Sequence, residues 1–376
     1  MAFSEAYLVI KVLFFESLGL SYTDIGIILS YTGILILLFE IPGGMISDFF
    51  GRKKSLLLSF ISAFIAYIIF YYANNFWDVM FAVSFIAASW AFWSGTYESL
   101  LYETTKRLKI KSQFPKILNR INVLFIGLGV ITNYYTPLLF GIDNKLPILI
   151  ALLVTILVII FGLFITEPEK LSSTKRNKEH SFIKQFDVLI NIIKNDKYIQ
   201  NIILFEMFFV FSIGVFGDLL NQPLISQQYE LSDYAIMFSI ASILQALISY
   251  PTHRYINYFS TRTFMYILTF YWFISLSLLL YFLDNMYISI ILMSYVWSVG
   301  MFEYTFINKL LNFHIKDDTI RSTILSTVSM LKSLSIAIFM YIFGVLIDLY
   351  SVETSTLVLI LISTLCGWLI IFKSRF

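Results

Sequence analysis

Charged side chains inside long apolar runs are the residues of this sequence best placed to do chemistry. Glu98, Glu303, Lys11, Glu16, Lys332, Glu206 and Asp218 each stand in such a run. Burying a charge there is costly, so such residues normally face a protein interior or a water-filled cavity. A carboxylate in an apolar cavity favours its neutral form and can load and release a proton near neutral pH. A lysine there can neutralise that carboxylate or attract an anionic group on a solute. Trp90, Trp93 and Tyr97 fall on one helical stripe with Glu98 at its edge, a surface able to meet an organic cation.

Plainer readings compete at each position. Glu16, Glu206 and Asp218 could sit at run edges and simply be hydrated, and the aromatic stripe could be packing. Glu40, beside a proline near the end of its run, suits a structural contact. Lys11 and Lys332 could be buried partners of Glu303 or Glu98. Lys11 and Glu16, five residues apart, lie about 140° apart on a helix and need not pair with each other.

Other chemistries find little support. His180, His253 and His314 are too scattered for a metal site, and no phosphate-binding G-x-x-x-x-G-K-[ST] run is present. No nucleophile stands beside a base within the apolar runs, so neither an enzyme nor a bound cofactor is expected. A ring of repeated filter elements, as a channel needs, is also missing. The single cysteine, Cys366, excludes an internal disulfide.

The elements that must position these charges are membrane-spanning helices. The chain is 59% hydrophobic and 13% charged, with a mean hydropathy of +0.81, whereas a soluble domain carries roughly 25% charge. Twelve runs of about 20 residues, long enough to cross hydrocarbon, are predicted at 3–20, 23–47, 55–73, 77–104, 118–140, 146–166, 199–221, 233–252, 263–283, 286–311, 323–348 and 353–373. Of the 26 Lys and Arg, 20 lie in the segments after even-numbered runs, Arg120, Lys309 and Lys373 stand at the run ends adjoining those segments, and Lys145 alone lies in the segments between. Lys11 and Lys332 lie within runs. Basic residues accumulate on the cytoplasmic side, so twelve crossings with both ends in the cytoplasm are expected. The first run carries Glu5, Lys11 and Glu16 and lacks a basic leader, so it reads as a span rather than a removable signal.

The polar stretch from Glu167 to Lys197 reads as a cytoplasmic linker, with Phe182 to Lys194 suited to a short amphipathic surface helix. It divides the chain into a bundle of residues 1–166, a linker of 167–198 and a bundle of 199–376. Gly95-Thr-Tyr-Glu98 and Gly300-Met-Phe-Glu303 recur 205 residues apart. Leu20-Ser21 is matched by Leu231-Ser232, with Ile25 and Ile236 at equal distance beyond. These matches suggest duplicated six-span units around a midplane site.

The sharpest local motif is Gly44-Met-Ile-Ser-Asp48-Phe-Phe-Gly51-Arg52-Lys53-Lys-Ser-Leu56, preceded by Glu40-Ile-Pro-Gly. Gly44 permits close helix approach and Gly51 a tight turn. Arg52 and Lys53 anchor the loop in the cytoplasm. Asp48 is an anion at a helix end, able to face the N-terminus of a neighbouring helix. Here the chain resembles the major facilitator superfamily (MFS), whose pattern after the second helix is G-x-[LI]-x-D-R-x-G-R-K-x-x-L. Phe49 stands where that pattern has Arg, so one cation of the family's pattern has no counterpart here.

The resemblance implies an all-α integral membrane protein of the bacterial cytoplasmic membrane, a monomer with twelve helices in two pseudo-symmetric six-helix bundles. It implies a secondary carrier of a small organic solute, with protons and the lipid bilayer as its other partners and no nucleic acid. It also implies that the first, fourth, seventh and tenth spans line the cavity and that Asp48 locks a cytoplasmic gate. Proton-coupled export of a drug or metabolite is the leading expectation. Proton symport of a zwitterion or anion, and lipid flipping, are the alternatives. The fifth span, with Gly127, Gly129 and Pro137, lacks the G-x-x-x-G-P-x-x-G-G run of the family's proton-driven exporters.

The charge alternation is tested by thiol labelling in intact cells with an impermeant reagent. Cysteines placed at Asn144 or Gln227 should label. Those placed within 106–116 or 170–178 should stay shielded, and labelling there would reverse the orientation.

Overall fold

A computed structural model of the chain describes residues 6–166, 196–251, 258–314 and 318–373. The expected linker helix at 182–194, together with His180 and His253, lies outside the described residues. Among those described, every regular element is helical. We label the helices α1 (Lys11–Ser17), α2 (Tyr22–Phe50), α3 (Arg52–Tyr72), α4 (Phe76–Trp93), α5 (Thr96–Arg107), α6 (Phe114–Ile142) and α7 (Leu146–Leu163). There follow α8 (Lys197–Ser226), α9 (Leu231–Ser249), α10 (Thr261–Tyr281), α11 (Met286–His314), α12 (Asp318–Leu349) and α13 (Val352–Lys373).

Among the described residues, eleven segments are long and apolar enough to cross a membrane. The first expected span departs from that pattern. A 3-10 turn, Ala6–Ile10, leads into α1, which has only 7 residues. The physical cause of its early end is Gly19. At φ +78° it lets Leu20 N–H reach Phe15 O (3.3 Å) and its own N–H reach Glu16 O (2.8 Å), a left-handed helix stop that glycine adopts without strain. Ser21 and Asp24 then form a reciprocal capping box that opens α2.

The fourth expected span is also interrupted. Gly95, at φ +68°, separates α4 from α5. The seventh runs on to Ser226 and contains two π-helical turns, Glu206–Val210 and Phe216–Leu220, within α8. Such turns recur where a helix is shaped by function.

The chain forms two compact units: Met1–Ser172 with Tyr229–Ser239, and Ser173–Gln228 with Ile240–Phe376. In the first, α2, α3 and α4 pack together, and Ser59 Oγ donates to Ser89 O across α3 and α4 (2.9 Å). Phe14, Phe15 and Phe70 cluster beneath Tyr7 and Tyr67. In the second, Phe211 of α8 stacks on Phe339 of α12 at 3.7 Å. Trp272 of α10 donates its indole N–H to Ser363 of α13 (3.2 Å).

The two units repeat a local device. Lys53 at the start of α3 donates to the carbonyl of Leu163, which ends α7 (2.7 Å). Arg262 at the start of α10 donates to the carbonyl of Phe372 in the last turn of α13 (3.4 Å). Each cation satisfies a terminal carbonyl that has no partner within its own helix. The two pairs lie 209 residues apart, and α3 and α10 are both 21 residues long at the same offset. Asn75 and Asn285, 210 apart, each accept backbone N–H groups at the start of the following helix.

This frame corrects the sequence register. Glu98 and Glu303 are 205 apart, about one helical turn out of step with the 209 to 210 of this frame, in which Glu303 falls at the level of Trp93 and Ser94.

Close helix approach in the first unit generates a test. A methyl group built at Gly43 of α2 falls 2.7 Å from the carbonyl oxygen of Ala91 in α4. Gly43→Ala should therefore destabilise the protein by about 1–3 kcal/mol, read as a lowered melting temperature in detergent. An unchanged melting temperature would show that the helices separate at no cost.

Candidate functional site

The buried charges of the second unit converge on Lys332. Its Nζ lies 3.2 and 3.3 Å from the two carboxylate oxygens of Glu303 and 3.5 Å from Oε2 of Glu206. The three residues come from α12, α11 and α8. The carboxylate side chains are 4% and 2% exposed, and the lysine is 26% exposed. Oε1 of Glu206 is buried without a hydrogen-bond partner.

Two buried carboxylates therefore share one partly exposed ammonium. Fully ionised, the cluster carries a net charge of −1, and one added proton makes it neutral. Attraction is strong at such distances in a low dielectric, while an unmatched buried charge is heavily penalised.

Helix packing holds this geometry. Glu206 opens the first π-helical turn, and the carbonyl of the next residue, Met207, accepts a hydrogen bond from Ser335 Oγ of α12. Lys332, Ser335, Ile336 and Phe339 occupy one face of α12 at helical spacing. Ile336 lies against Gly214, where an added methyl would come within 2.9 Å of it, and Phe339 stacks on Phe211. The helix that carries the lysine is thus fastened along the helix that carries Glu206.

Glu98 stands in a different setting. It is exposed, in the first turn of α5, and accepts a hydrogen bond from the Tyr97 hydroxyl (3.1 Å). The 18 residues of α4 rise about 27 Å, so Glu98, beyond the Gly95 break, lies near the end of the crossing. Thr96 beside it bonds to Ser47 in the last part of α2 (3.3 Å). The aromatic stripe persists across the break. Trp93 stacks on Tyr97 at 4.7 Å, and Trp90 is partly exposed.

Lys11 is buried at the start of α1. Glu16, near the end of α1, accepts the Tyr22 hydroxyl. Asp218 is exposed in the second π-helical turn. Of the residues singled out from sequence, Glu303, Glu206 and Lys332 are brought together. Lys332 in an apolar run suited either a buried carboxylate partner or an anionic solute group, and Glu206 read equally well as a hydrated edge residue. Ser335 carried no signal at all.

At the motif, Gly51 adopts φ +99° between α2 and α3. Arg52 pairs with Glu103 of α5 at 2.7 Å, a partner the motif does not specify. The side chains of Glu40 and Asp48, and the surroundings of Gly44, lie outside the description, although their backbone belongs to α2. Elsewhere in the second unit, His314 Nε2 meets Asp196 Oδ2 at 2.8 Å and stacks on Tyr198. Burial raises the Asp196 carboxyl. Hydrogen bonds from His314, Ile199 N–H and Tyr198 N–H, with the charge of His314, outweigh that and leave it below the ordinary carboxylate value. Among the described residues, no three His, Cys, Asp or Glu side chains are grouped as metal ligands.

Comparison with known proteins agrees with this architecture. The model of the Major Facilitator Superfamily matches residues 1–308, and the chain belongs to that superfamily of transporters. It is 24% identical over 202 residues to the uncharacterized MFS-type transporter YxaM of Bacillus subtilis (strain 168). That match covers 53% of this chain and about half (49%) of the relative. A crystal structure of the nucleoside transporter NupG is similar in fold, with a TM-score of 0.82 at 13% identity, covering 100% of this chain and 96% of that one. A D-xylose-proton symporter gives 0.73 at 12% identity, covering 99% and 94%.

The shared ammonium makes an energetic prediction. Lys332→Met leaves two buried carboxylates without their cation and should cost about 3–5 kcal/mol. Adding Glu303→Gln to it should recover part of that loss. A melting temperature in detergent equal to that of the wild type would mean that the cluster is already hydrated.

Proposed function

We propose that this protein is a proton-coupled secondary transporter of a small organic solute, with Glu206, Glu303 and Lys332 as its proton site. The observation that carries the reading is two buried carboxylates on one lysine, with one carboxylate oxygen left unpartnered. A proton taken up by either carboxylate removes the excess negative charge and frees Lys332 from one of its two partners. Loss of that proton restores the charge and requires either re-pairing or water. The cluster thus has two arrangements that differ by one proton, which is what coupling to a proton gradient requires.

The carrier reading takes residues 1–166 and 199–376 as the two six-helix bundles of alternating access, joined by a cytoplasmic linker. It places the monomer in the cytoplasmic membrane with both ends inside, as the basic segments imply. Asp48 and the Arg52–Glu103 pair belong to the cytoplasmic gate in this scheme.

Uptake by symport is the better supported direction. One similar fold is that of a D-xylose-proton symporter, and the exporter run is missing from the fifth span. Lys332 suits a solute with an anionic group, such as a zwitterion. Drug export by the same proton site remains the second reading, carried by the Trp93–Tyr97 stack beside Glu98.

Proteoliposomes supplied externally with a panel of labelled nucleosides, sugars and amino acids test both. Accumulation driven by an imposed pH gradient should fall at least about tenfold in Glu206→Gln or Glu303→Gln, with energy-independent exchange retained. Glu98→Gln should keep most of the driven transport. Full driven accumulation in both triad variants would place the proton site elsewhere, and accumulation only with inverted polarity would establish export.

A further inference from the structure

We propose that the turn joining α5 to α6 is a binding surface for anionic phospholipid headgroups. Lys106, Arg107, Lys109, Lys111, Lys116 and Arg120 are all exposed there. No Asp or Glu occurs between Glu103 and Asp143, and Glu103 is itself engaged by Arg52 at 2.7 Å. Among the described residues, none of the six cations forms a salt bridge. Fifteen residues therefore present six exposed positive charges that no anion among the described residues answers.

A topology signal alone would be served by a loose loop, yet this turn is built. Ile110 N–H bonds to Thr105 O (2.9 Å) and Gln113 N–H to Ile110 O (2.8 Å). The rings of Tyr102 and Phe114 meet edge to face at 5.4 Å, and the Lys111 ammonium lies 5.3 Å from the Tyr102 ring centre. Lys109 has φ +61°, and among the described residues it is the one non-glycine with positive φ. Glycine or asparagine relieves strain at such a helix-ending position, so a cation is kept there against backbone preference.

The occupant follows from place and chemistry. The turn joins two helices long and apolar enough to cross a membrane, so the nearest anionic surface is the adjoining leaflet. That surface lies within a Debye length of about 8–10 Å. Leu108, 63% exposed between Arg107 and Lys109, supplies an apolar tip for the headgroup boundary. A nucleic acid or a soluble anion has no use for that tip.

The full-length protein in neutral detergent provides the test. Native mass spectrometry would compare retention of dioleoylphosphatidylglycerol with that of dioleoylphosphatidylcholine. Wild-type protein should prefer the anionic lipid by at least about tenfold, less at high salt, since each nearby charge contributes roughly fivefold. The variant Lys106→Gln/Lys111→Gln/Lys116→Gln/Arg120→Gln should lose the preference. Lys109→Gly should weaken it about threefold while raising the melting temperature in detergent, because the strain is removed. Lys109→Gly thus remains informative if the quadruple variant fails to fold. Equal preference in wild type and variants would overturn the proposal. So would displacement of the lipid by millimolar inorganic phosphate, which would make the turn a site for soluble anions.

Discussion

A charge inside an apolar bundle must meet an opposite charge, and the second unit is organised around that requirement at Lys332. Its ammonium draws Glu303 from α11 and Glu206 from α8, so three helices are tied at one point. The tie depends on α8 and α12 lying close enough for Ile336 to rest on Gly214 and for Phe211 to stack on Phe339. Packing therefore sets the electrostatics, and the electrostatics penalise any packing that would separate the three. Replacing such a cluster with apolar residues can be neutral for stability, so its presence points to use rather than to strength.

Helix ends pose the second demand. Each leaves backbone groups without partners, and both units meet this with a cation from the start of a neighbouring helix. Lys53 reaches the end of α7, and Arg262 reaches the last turn of α13. The recurrence of this contact at one offset is firmer evidence of an internal repeat than the short residue matches. It depends on geometry, whereas two glutamates can share a tripeptide spacing by chance. In that geometric frame Glu98 and Glu303 part company: one is exposed beyond a glycine break, the other buried against Lys332.

Irregular backbone marks the places where the helices carry more than packing. Glycine at positive φ ends α1, divides α2 from α3 and divides α4 from α5. The π-helical turn Glu206–Val210 begins at one of the carboxylates that meet Lys332.

The sequence by itself determined the apolar runs, their alternating basic connections, the turn motif after the second span and the placing of Lys332 inside an apolar run. These are properties of the chain against its solvent: hydrocarbon selects about 20 apolar residues, and the membrane potential selects the side of each lysine. The tertiary structure decided which carboxylates answer Lys332, that Glu98 does not share the setting of Glu303, and that Arg52 pairs with Glu103. It also gave the first expected span a 3-10 turn, Ala6–Ile10, ahead of the 7-residue α1. Those outcomes depend on how helices rotate and approach one another, and residue spacing along one helix carries no information about the face presented by the next.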